Sequence, residues 1–503
     1  MRTLSLLMLS LLLLVTSCST PQVPSQSTPV DALPSIMPDY ADVTIPSNIC
    51  PLNFCLQEAE CSEVVARLSS SSLSFVYGKG TQVLIDPAEW SQLIASARGA
   101  NIQVEVWGRQ SDGWRAYRPF SIHVADDEID SYISYRLIPP SYVAYEELSI
   151  EQRNLTNFET REIYNNMKVS TESKGQCINC HSFQNYHTQN FLFHVRQGWG
   201  GTMIVTDGKI QKVDLKRPGL ISAGVYPSWH PSEALIAFST NNTAQTFHTV
   251  DTAKVEVFDS ASDLILYDLN HDKVITVSND SMQMETFPTW SPDGRWLYFC
   301  SAAVPFDPTS GDLKDKAIEH YQEIRYDLYR KSFDPATLQF GPTELVYQAS
   351  ADTMSVTLPR FSPDGRYLTF ARASFGCFHV WHPDADIVVI DLERPVPAEA
   401  DTTSLHFATI DLSAFNTPDY SESYPSFSST GRWLMCDSRR DDGNFTRPYI
   451  AYFDEQGCVH KPFEVPQQTP AFYQLSLKSF NRPEFTTEAV QVSCGDIAEV
   501  VVK

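Results

Sequence analysis

Two cysteines and one histidine stand close together in the run Cys-Ile-Asn-Cys-His, at Cys177, Cys180 and His181. Thiols three positions apart can lie on one face of a single turn of chain and form thioether bonds with the two vinyl groups of a haem. The histidine directly after the second thiol then lies under the ring, where its Nε2 can ligate the iron. The pattern predicts one covalently bound haem c, held by Cys177 and Cys180, with His181 as an iron ligand.

The same three residues admit two other kinds of site. A zinc site requires about four ligands, and no second cysteine pair follows near Cys180 to supply the rest. A thioredoxin-like redox dithiol belongs in a strand–helix–strand context, which the surrounding sequence does not predict. Haem attachment is therefore the preferred interpretation, and zinc binding and a redox dithiol are its alternatives.

The second axial ligand of such a haem has three candidates downstream of the motif: His187, His194 and Met203. His187 is so close to the motif that the chain would have to loop tightly around the porphyrin edge, whereas His194 and Met203 can reach the opposite face of the ring. His194 lies in the strand-like run FLFHV, where alternation places it on the same face as Leu192. We expect His194 to be the iron ligand. The candidates for pairing with the haem propionates are Arg196 and Lys174.

The first residues have the features of a bacterial lipoprotein signal. Arg2 precedes an apolar run from Leu4 to Val15, which is too short for a membrane span of about 20 residues but suits a secretory signal. Val15-Thr16-Ser17-Cys18 resembles a lipobox, so we expect a signal peptide over residues 1–17 and lipidation of Cys18. A Pro- and Ser-rich linker follows over residues 18–40. These features predict attachment to the membrane through lipid and leave open which membrane it is. We expect the periplasmic side of the outer membrane, because Ser19-Thr20-Pro21 lacks the acidic residues that are associated with export to the cell surface.

The overall composition is that of a folded protein with an acidic surface. The chain has 503 residues, 42% of them hydrophobic, and 37 basic against 61 acidic residues give a net charge of −24. A nucleic-acid-binding protein needs a basic face, and no Lys/Arg-rich stretch is present, so nucleic acid is excluded as a primary partner.

A repeated segment indicates the architecture. Each copy has a proline, an aromatic residue two positions later, a tight turn of the Ser-Pro-Asp-Gly type and a second apolar run. Short strands repeated at regular spacing are typical of β-propeller blades. We expect a mainly β fold with a five- or six-bladed propeller over residues 191–470 and a C-terminal extension over 471–503, which ends in a strand at 488–502. The copies are YPSWHPSEALIAFS (226–239), FPTWSPDGRWLYFC (287–300), LPRFSPDGRYLTFA (358–371) and YPSFSSTGRWLMCD (424–437).

The region before the repeats predicts a separate small domain. Residues 104–124 alternate apolar and polar side chains around a Ser-Asp-Gly turn and predict a β-hairpin. Residues 87–99 predict a short amphipathic helix that ends at a glycine. We expect a β-rich, sandwich-like domain over 41–150, followed by a connecting segment over 151–190 that carries the haem motif.

Several longer runs carry a resemblance to a known family. The chain resembles Bacteroides-group TolB-like β-propeller lipoproteins with Pro-Asp repeats, some of which are labelled cytochrome c biosynthesis proteins. The resemblance covers most of the mature chain and implies the propeller fold and the haem motif. It also favours His194 over Met203 as the second ligand. The runs that carry it are CINCHSF, FHVRQGWGGT, SAGVYPSWHP, FDSASDLILYDL and TRPYIAYFDEQG.

Three functions are compatible with these features. The first is electron transfer or haem-based sensing with a protein partner, because one haem without a substrate motif suits one-electron exchange. The second is a scaffold that binds envelope proteins and holds a structural haem. The third is a haem enzyme with an open distal site. We expect the first and do not expect an enzyme, since no constellation of catalytic side chains is evident; the small-molecule substrate, if any, is open.

Overall fold

The computed structural model describes residues 21–140, 147–169, 176–309, 311–396 and 407–503. Within these ranges the chain is mainly β, as the sequence predicts, and it forms several separate sheets with a few short helices. No helix in the described ranges is both long and apolar enough to cross a bilayer.

The first hundred described residues form two sheets and one helix. Seven strands pair in one sheet, in which the long strand β8 pairs with β5, β9 and β10. Three short strands, β2, β4 and β7, form the other. The strands are β1 (Thr28–Pro29), β2 (Ile36–Met37), β3 (Thr44–Ile45), β4 (Phe54–Leu56), β5 (Glu63–Ser69), β6 (Ser74–Tyr77), β7 (Gln82–Val83), β8 (Ala100–Gln110), β9 (Gly113–Ala116) and β10 (Phe120–Val124).

Two local predictions for this region are confirmed. The hairpin is formed by β8 and β9, which pair from Trp107 with Ala116 to Gln110 with Gly113 around the Ser-Asp turn. The helix α1 spans Pro87–Ser96. It begins where Asp86 accepts hydrogen bonds from two backbone N–H groups. It buries its apolar face in a core cluster that also contains side chains from residues 433–485.

The rest of the chain forms four four-stranded sheets and one eight-stranded sheet. The larger sheet consists of two four-stranded antiparallel units joined by one parallel pair of residues, Ser262 and Met284, so that there are six four-stranded units. One unit is formed by β11 (Tyr132–Ile138), β12 (Ser149–Asn154) and β13 (Thr160–Asn165) together with β34, a strand near the C-terminus. Each of the other units consists of four strands that are consecutive in the chain. The next unit has β14 (Gln176–Gln184), β15 (His187–Gln197), β16 (Gly201–Thr206) and β17 (Lys209–Val213). The third has β18 (Gly224–Trp229), β19 (Leu235–Phe247), β20 (Val255–Asp268) and β21 (Lys273–Ser278).

The remaining units follow in chain order. The fourth has β22 (Gln283–Trp290), β23 (Trp296–Ala303), β24 (Asp327–Asp334) and β25 (Gln339–Tyr347), with the helix α2 (Leu313–His320) between β23 and β24. The fifth has β26 (Ser355–Phe361), β27 (Tyr367–Ala373), β28 (Asp386–Pro395) and β29 (Phe407–Thr409). The sixth has β30 (Glu422–Phe427), β31 (Trp433–Ser438), β32 (Arg447–Tyr452) and β33 (Phe463–Glu464). The C-terminal elements are α3 (Phe472–Leu475), β34 (Ser479–Thr486) and α4 (Cys494–Val501).

The first strands of these units contact one another in a closed series. β14 contacts β18, β18 contacts β22, and the series continues through β26 and β30 to β34, which also contacts β14. The C-terminal strand β34 pairs with β11, so it belongs to a sheet whose other three strands lie far earlier in the chain. Strand β12 spans residues 149–154 and therefore includes the position at which the sequence predicted a domain boundary.

The prediction of a final strand over 488–502 is wrong, because most of this segment forms the helix α4. Ser493 and Asp496 form a capping box at its start, which supplies partners for backbone N–H groups that a new helix leaves free. Ile497 and Val501, one helical turn apart, are buried against the core next to β13 and β17. A short apolar run fits a strand or a helix equally well, and here the cap decides between them.

Candidate functional site

The Cys-x-x-Cys-His run lies on β14, the first strand of its unit, and it is extended rather than a helical turn. The strand pairs regularly with β15 up to Asn179, then a bulge of two residues, Cys180 and His181, interrupts the register. Cys180 has φ of 53°, in the left-handed region. The bulge turns the side chains of this segment away from simple alternation.

The same bulge recurs in all six units. In each first strand one residue has a left-handed φ, between 48° and 58°. The next residue is a proline, except on β14, where it is His181. An aromatic residue follows three positions after the left-handed residue. The register shifts at this point in every unit. The Cys-x-x-Cys-His run that predicts haem attachment is therefore also a copy of the repeat, in which His181 replaces the proline. The left-handed residues are Cys180, Tyr226, Phe287, Leu358, Tyr424 and Arg482.

A cavity of about 930 Å³ lies where the first strands converge. Cys177 and Cys180 line it, and so does His194 from the neighbouring strand β15. Both thiols are free and partly exposed. The five prolines of the repeat complete much of the wall: Pro227, Pro288, Pro359, Pro425 and Pro483. The structure thus brings three of the four predicted haem-binding residues to one cavity.

The buried ring of His194 has one nitrogen without a partner in the described part of the chain. Its Nδ1 lies 2.9 Å from the Oγ1 of Thr202, while its buried Nε2 has no hydrogen-bond partner within the described ranges. Burial lowers the pKa of His194 to about 3, with a smaller contribution from the positive charge of Arg196. The imidazole is therefore neutral at physiological pH, which is the form of histidine that binds a metal ion.

His181, the fourth predicted residue, does not line the cavity. Its ring is buried, with its centroid 6.2 Å from that of Phe183, and its Nε2 likewise has no partner in the described part of the chain. Burial, and after it the charge of Arg136, lowers the pKa of His181 to about 3. His181 is thus a neutral imidazole on β14, the strand that also carries the two thiols.

The other two candidates for the second ligand lie elsewhere. Met203 pairs with Phe193 across β15 and β16 and is buried in an apolar cluster that also contains Phe191 and Val195. Leu192 packs in a different cluster, so the predicted alternation of this strand is confirmed. His187 is largely exposed at the start of β15 and pairs with Glu488 at 3.3 Å.

The cavity wall carries many positive charges. Five basic residues and two acidic residues line it. The Nη1 of Arg136 donates a hydrogen bond of 2.7 Å to the carbonyl oxygen of Ile178, between the two cysteines, and its Nη2 donates one of 2.8 Å to Asn481. The basic residues are Arg136, Arg196, Arg360, Arg482 and Lys216; the acidic ones are Asp214 and Glu484.

The volume and the two thiols of the cavity are compatible with a covalently bound haem, whereas His181 does not line the cavity. The volume lies in the range of about 300–1,000 Å³ that is usual for cofactor and ligand sites. The two thiols needed for attachment and the residue His194 line the same cavity, and His181 follows directly after Cys180 on β14. Within the described ranges the Nε2 atoms of both histidines are buried without a hydrogen-bond partner. Within the described ranges, no group of three or more His, Cys, Asp or Glu side chains is arranged to hold a bare metal ion.

Two predicted residues lie outside the described ranges: the lipidation site Cys18 and the propionate candidate Lys174. Sequence reasoning did not identify the arginines of β11, β26 and β34, because these strands are distant in sequence and meet only through the closed series of first strands. The pattern Arg-Pro-Glu-Phe at 482–485, which matches the repeat, was the available signal for β34.

Comparison with known proteins gives no family. No family model and no curated protein matches the chain. It is similar in structure to prolyl oligopeptidase B from Galerina marginata, with 9% identity, 72% of this chain and 42% of that chain covered, and a TM-score of 0.35. It is also similar to an oligogalacturonate lyase in complex with manganese, with 13% identity, 73% of this chain and 85% of that chain covered, and a TM-score of 0.28. A DUF4784 family protein from Bacteroides caccae is similar with 8% identity, 88% of this chain and 98% of that chain covered, and a TM-score of 0.31. These likenesses transfer no activity or ligand to the chain.

Proposed function

We propose that this protein is a six-bladed β-propeller that holds one covalent haem c in the cavity between its blades. The observation that carries the proposal is that Cys177, Cys180 and His194 line one cavity. Within the described ranges the buried Nε2 of His194 has no hydrogen-bond partner. The six four-stranded units would be the blades, and pairing of β34 with β11 would close the ring.

The residues around the cavity suit this role. Burial keeps both His181 and His194 neutral, so that neither has to lose a proton before binding iron. Arg136 fixes the strand between the two cysteines by its hydrogen bond to the Ile178 carbonyl. When bound, a haem at this site would supply one-electron exchange or reversible binding of a small ligand at iron.

We further propose that the protein works in the cell envelope and exchanges electrons, or signals the state of its haem, with a protein partner. The signal-like first 17 residues and Cys18 support a lipid anchor on the periplasmic side of the outer membrane. Haem attachment of this kind also requires an extracytoplasmic location for the motif, so the two sequence features agree with each other.

The experiment is expression of the full chain together with a c-type haem maturation system, followed by the pyridine haemochrome spectrum. We expect the spectrum of a haem with two thioether bonds, and loss of covalent haem when Cys177 and Cys180 are both replaced by Ser. Cys458→Ser, at an exposed free cysteine, is the matched control and should keep the haem. A wild-type protein that emerges free of haem would overturn the proposal.

A redox dithiol is the second candidate, and one observation favours it. The run on β14 is explained as a copy of the blade repeat, and its two thiols are free and partly exposed in a cavity with many positive charges. In that case the matured protein carries no haem, and both Cys177 and Cys180 react with an alkylating reagent after reduction but not after mild oxidation.

A further inference from the structure

The charge of the cavity is opposite to that of the whole chain. The chain has a net charge of −24, whereas five basic and two acidic residues line the cavity. Burial raises the pKa of one of the two acids, Glu484, above its ordinary value, which weakens its negative charge further. Positive groups on the wall of a concave site concentrate anions there. The ligand of this cavity should therefore carry negative charge.

Two of the arginines are available for such a ligand. Arg482 occupies the left-handed position of its blade, and within the described ranges its side chain makes no hydrogen bond or ion pair. Arg360 has only a loose ion pair, with its Nη1 4.0 Å from the Oε1 of Glu484. By contrast, the guanidinium of Arg136 is already held by Ile178 and Asn481.

We propose that Arg360 and Arg482 bind the carboxylate groups of the ligand in this cavity. A guanidinium matches the planar shape of a carboxylate and can donate two parallel hydrogen bonds to it. If the proposed function is correct, on which this assignment rests, the carboxylates are the two propionates of the haem. The same chemistry would also recognise a free dicarboxylate, and the experiment separates these two sources.

The test uses the full chain with Cys177→Ser and Cys180→Ser, so that binding is reversible. Its affinity for haemin is compared with that for haemin dimethyl ester, which has the same ring without carboxylates. Arg360→Gln and Arg482→Gln should each weaken haemin binding about tenfold or more, as expected for loss of a hydrogen bond to a charged group, and leave ester binding unchanged. Arg482→Lys, which retains the charge, should recover part of the loss.

Two controls show whether the variants act through the ligand. Arg118→Gln replaces an exposed arginine of the N-terminal domain, which pairs with Asp31 at 3.9 Å, and should not change either affinity. Thermal unfolding of each variant without ligand shows whether it is folded. An equal loss for haemin and its ester would mean that the arginines only support the fold, and that result would overturn the assignment.

A second probe separates failure of this assignment from failure of the haem proposal. Succinate is titrated into the same proteins by calorimetry. If haemin does not bind but succinate binds and depends on Arg360 and Arg482, the haem proposal fails and the carboxylate site stands, with a free dicarboxylate as its ligand. If neither haemin nor succinate binding depends on the two arginines, the assignment is wrong, whether or not covalent haem forms in the wild-type protein.

Discussion

His194 lies directly opposite Asn179 in the register of β14 and β15. Asn179 is the residue just before the second thiol, Cys180, so the pairing places the imidazole beside the attachment segment. Met203, the alternative ligand, does not line the cavity and is buried in an apolar cluster against which Cys177 packs. The relationship is set by backbone hydrogen bonds between the two strands and not by the sequence distance from the motif.

The first prediction follows from this pairing. In the haem-loaded protein, His194→Ala should remove an axial ligand and convert low-spin iron to the high-spin form. Met203→Ala should leave the iron low-spin, although deletion of a buried Met side chain costs about 2–5 kcal/mol of stability. The absorption spectrum measures both. A high-spin spectrum in the Met203 variant alone would contradict the assignment.

The second prediction concerns acid stability of the haem-free chain with Cys177→Ser and Cys180→Ser. Burial lowers the pKa of His194 to about 3, below its ordinary value of about 6.5 in the unfolded chain. The unfolded state therefore takes up the proton first as the pH falls, and the folded state loses stability below about pH 6.5. From pH 7 to pH 5 this one group should cost on the order of 2 kcal/mol.

Replacement of this histidine provides the measurement. His194→Asn in the haem-free chain should make the fall in urea-unfolding free energy between pH 7 and pH 5 smaller. His187→Asn, at the largely exposed histidine near the start of the same strand, is the control and should leave the fall unchanged. If both variants keep the full pH dependence of the parent, the imidazole of His194 is not buried as described.

A pair of glycines tests the packing between the four-stranded units that contain β18 and β22. Gly294 and Gly208 both have left-handed φ, of 70° and 79°. A Cβ on Gly294 would lie 2.4 Å from the ring of His230, whereas one on Gly208 would meet nothing within 4 Å. Gly208→Ala should cost about 1 kcal/mol from backbone strain, and Gly294→Ala distinctly more, because His230 must move and its 3.0 Å hydrogen bond to the Gly294 carbonyl is disturbed. Equal losses in urea unfolding would contradict the contact.

Two truncations test the closure of the ring. A chain that ends after residue 478 lacks β34 and leaves β11 without its partner strand, so it should not unfold cooperatively. A chain that ends after residue 487 keeps β34 and loses only α4 with the residues before it. It should fold with reduced stability, because Ile497 and Val501 no longer cover their cluster. Calorimetric melting compares them; two cooperative transitions of similar enthalpy would contradict closure by β34.

The sequence was informative where structure depends on local pattern. Three of the four predicted turns close by the expected backbone bond; for example, the Gly294 N–H donates to the Ser291 carbonyl at 2.9 Å. In the first copy the Glu233 N–H donates instead to the Nδ1 of His230, at 3.1 Å. The alternation of the FLFHV strand also holds. Both follow from side-chain periodicity and from the conformations that proline and glycine prefer.

Two further copies of the repeat were not found from the sequence. On β14 the proline is replaced by His181, and on β34 the strand is followed by α4 instead of a turn and a second strand. The arginine-rich wall was also not predictable, because Arg360 and Arg482 lie on strands more than a hundred residues apart. These features depend on tertiary closure and not on local sequence.

The central claim is that Cys177 and Cys180 carry a haem, and the intact mass of the denatured protein tests it most directly. After expression with a haem maturation system, we predict a mass that exceeds that of the processed chain and its lipid by one haem. The Cys177→Ser/Cys180→Ser chain should lack this increment. A wild-type mass without the haem, with two thiols that remain open to alkylation, would contradict the account.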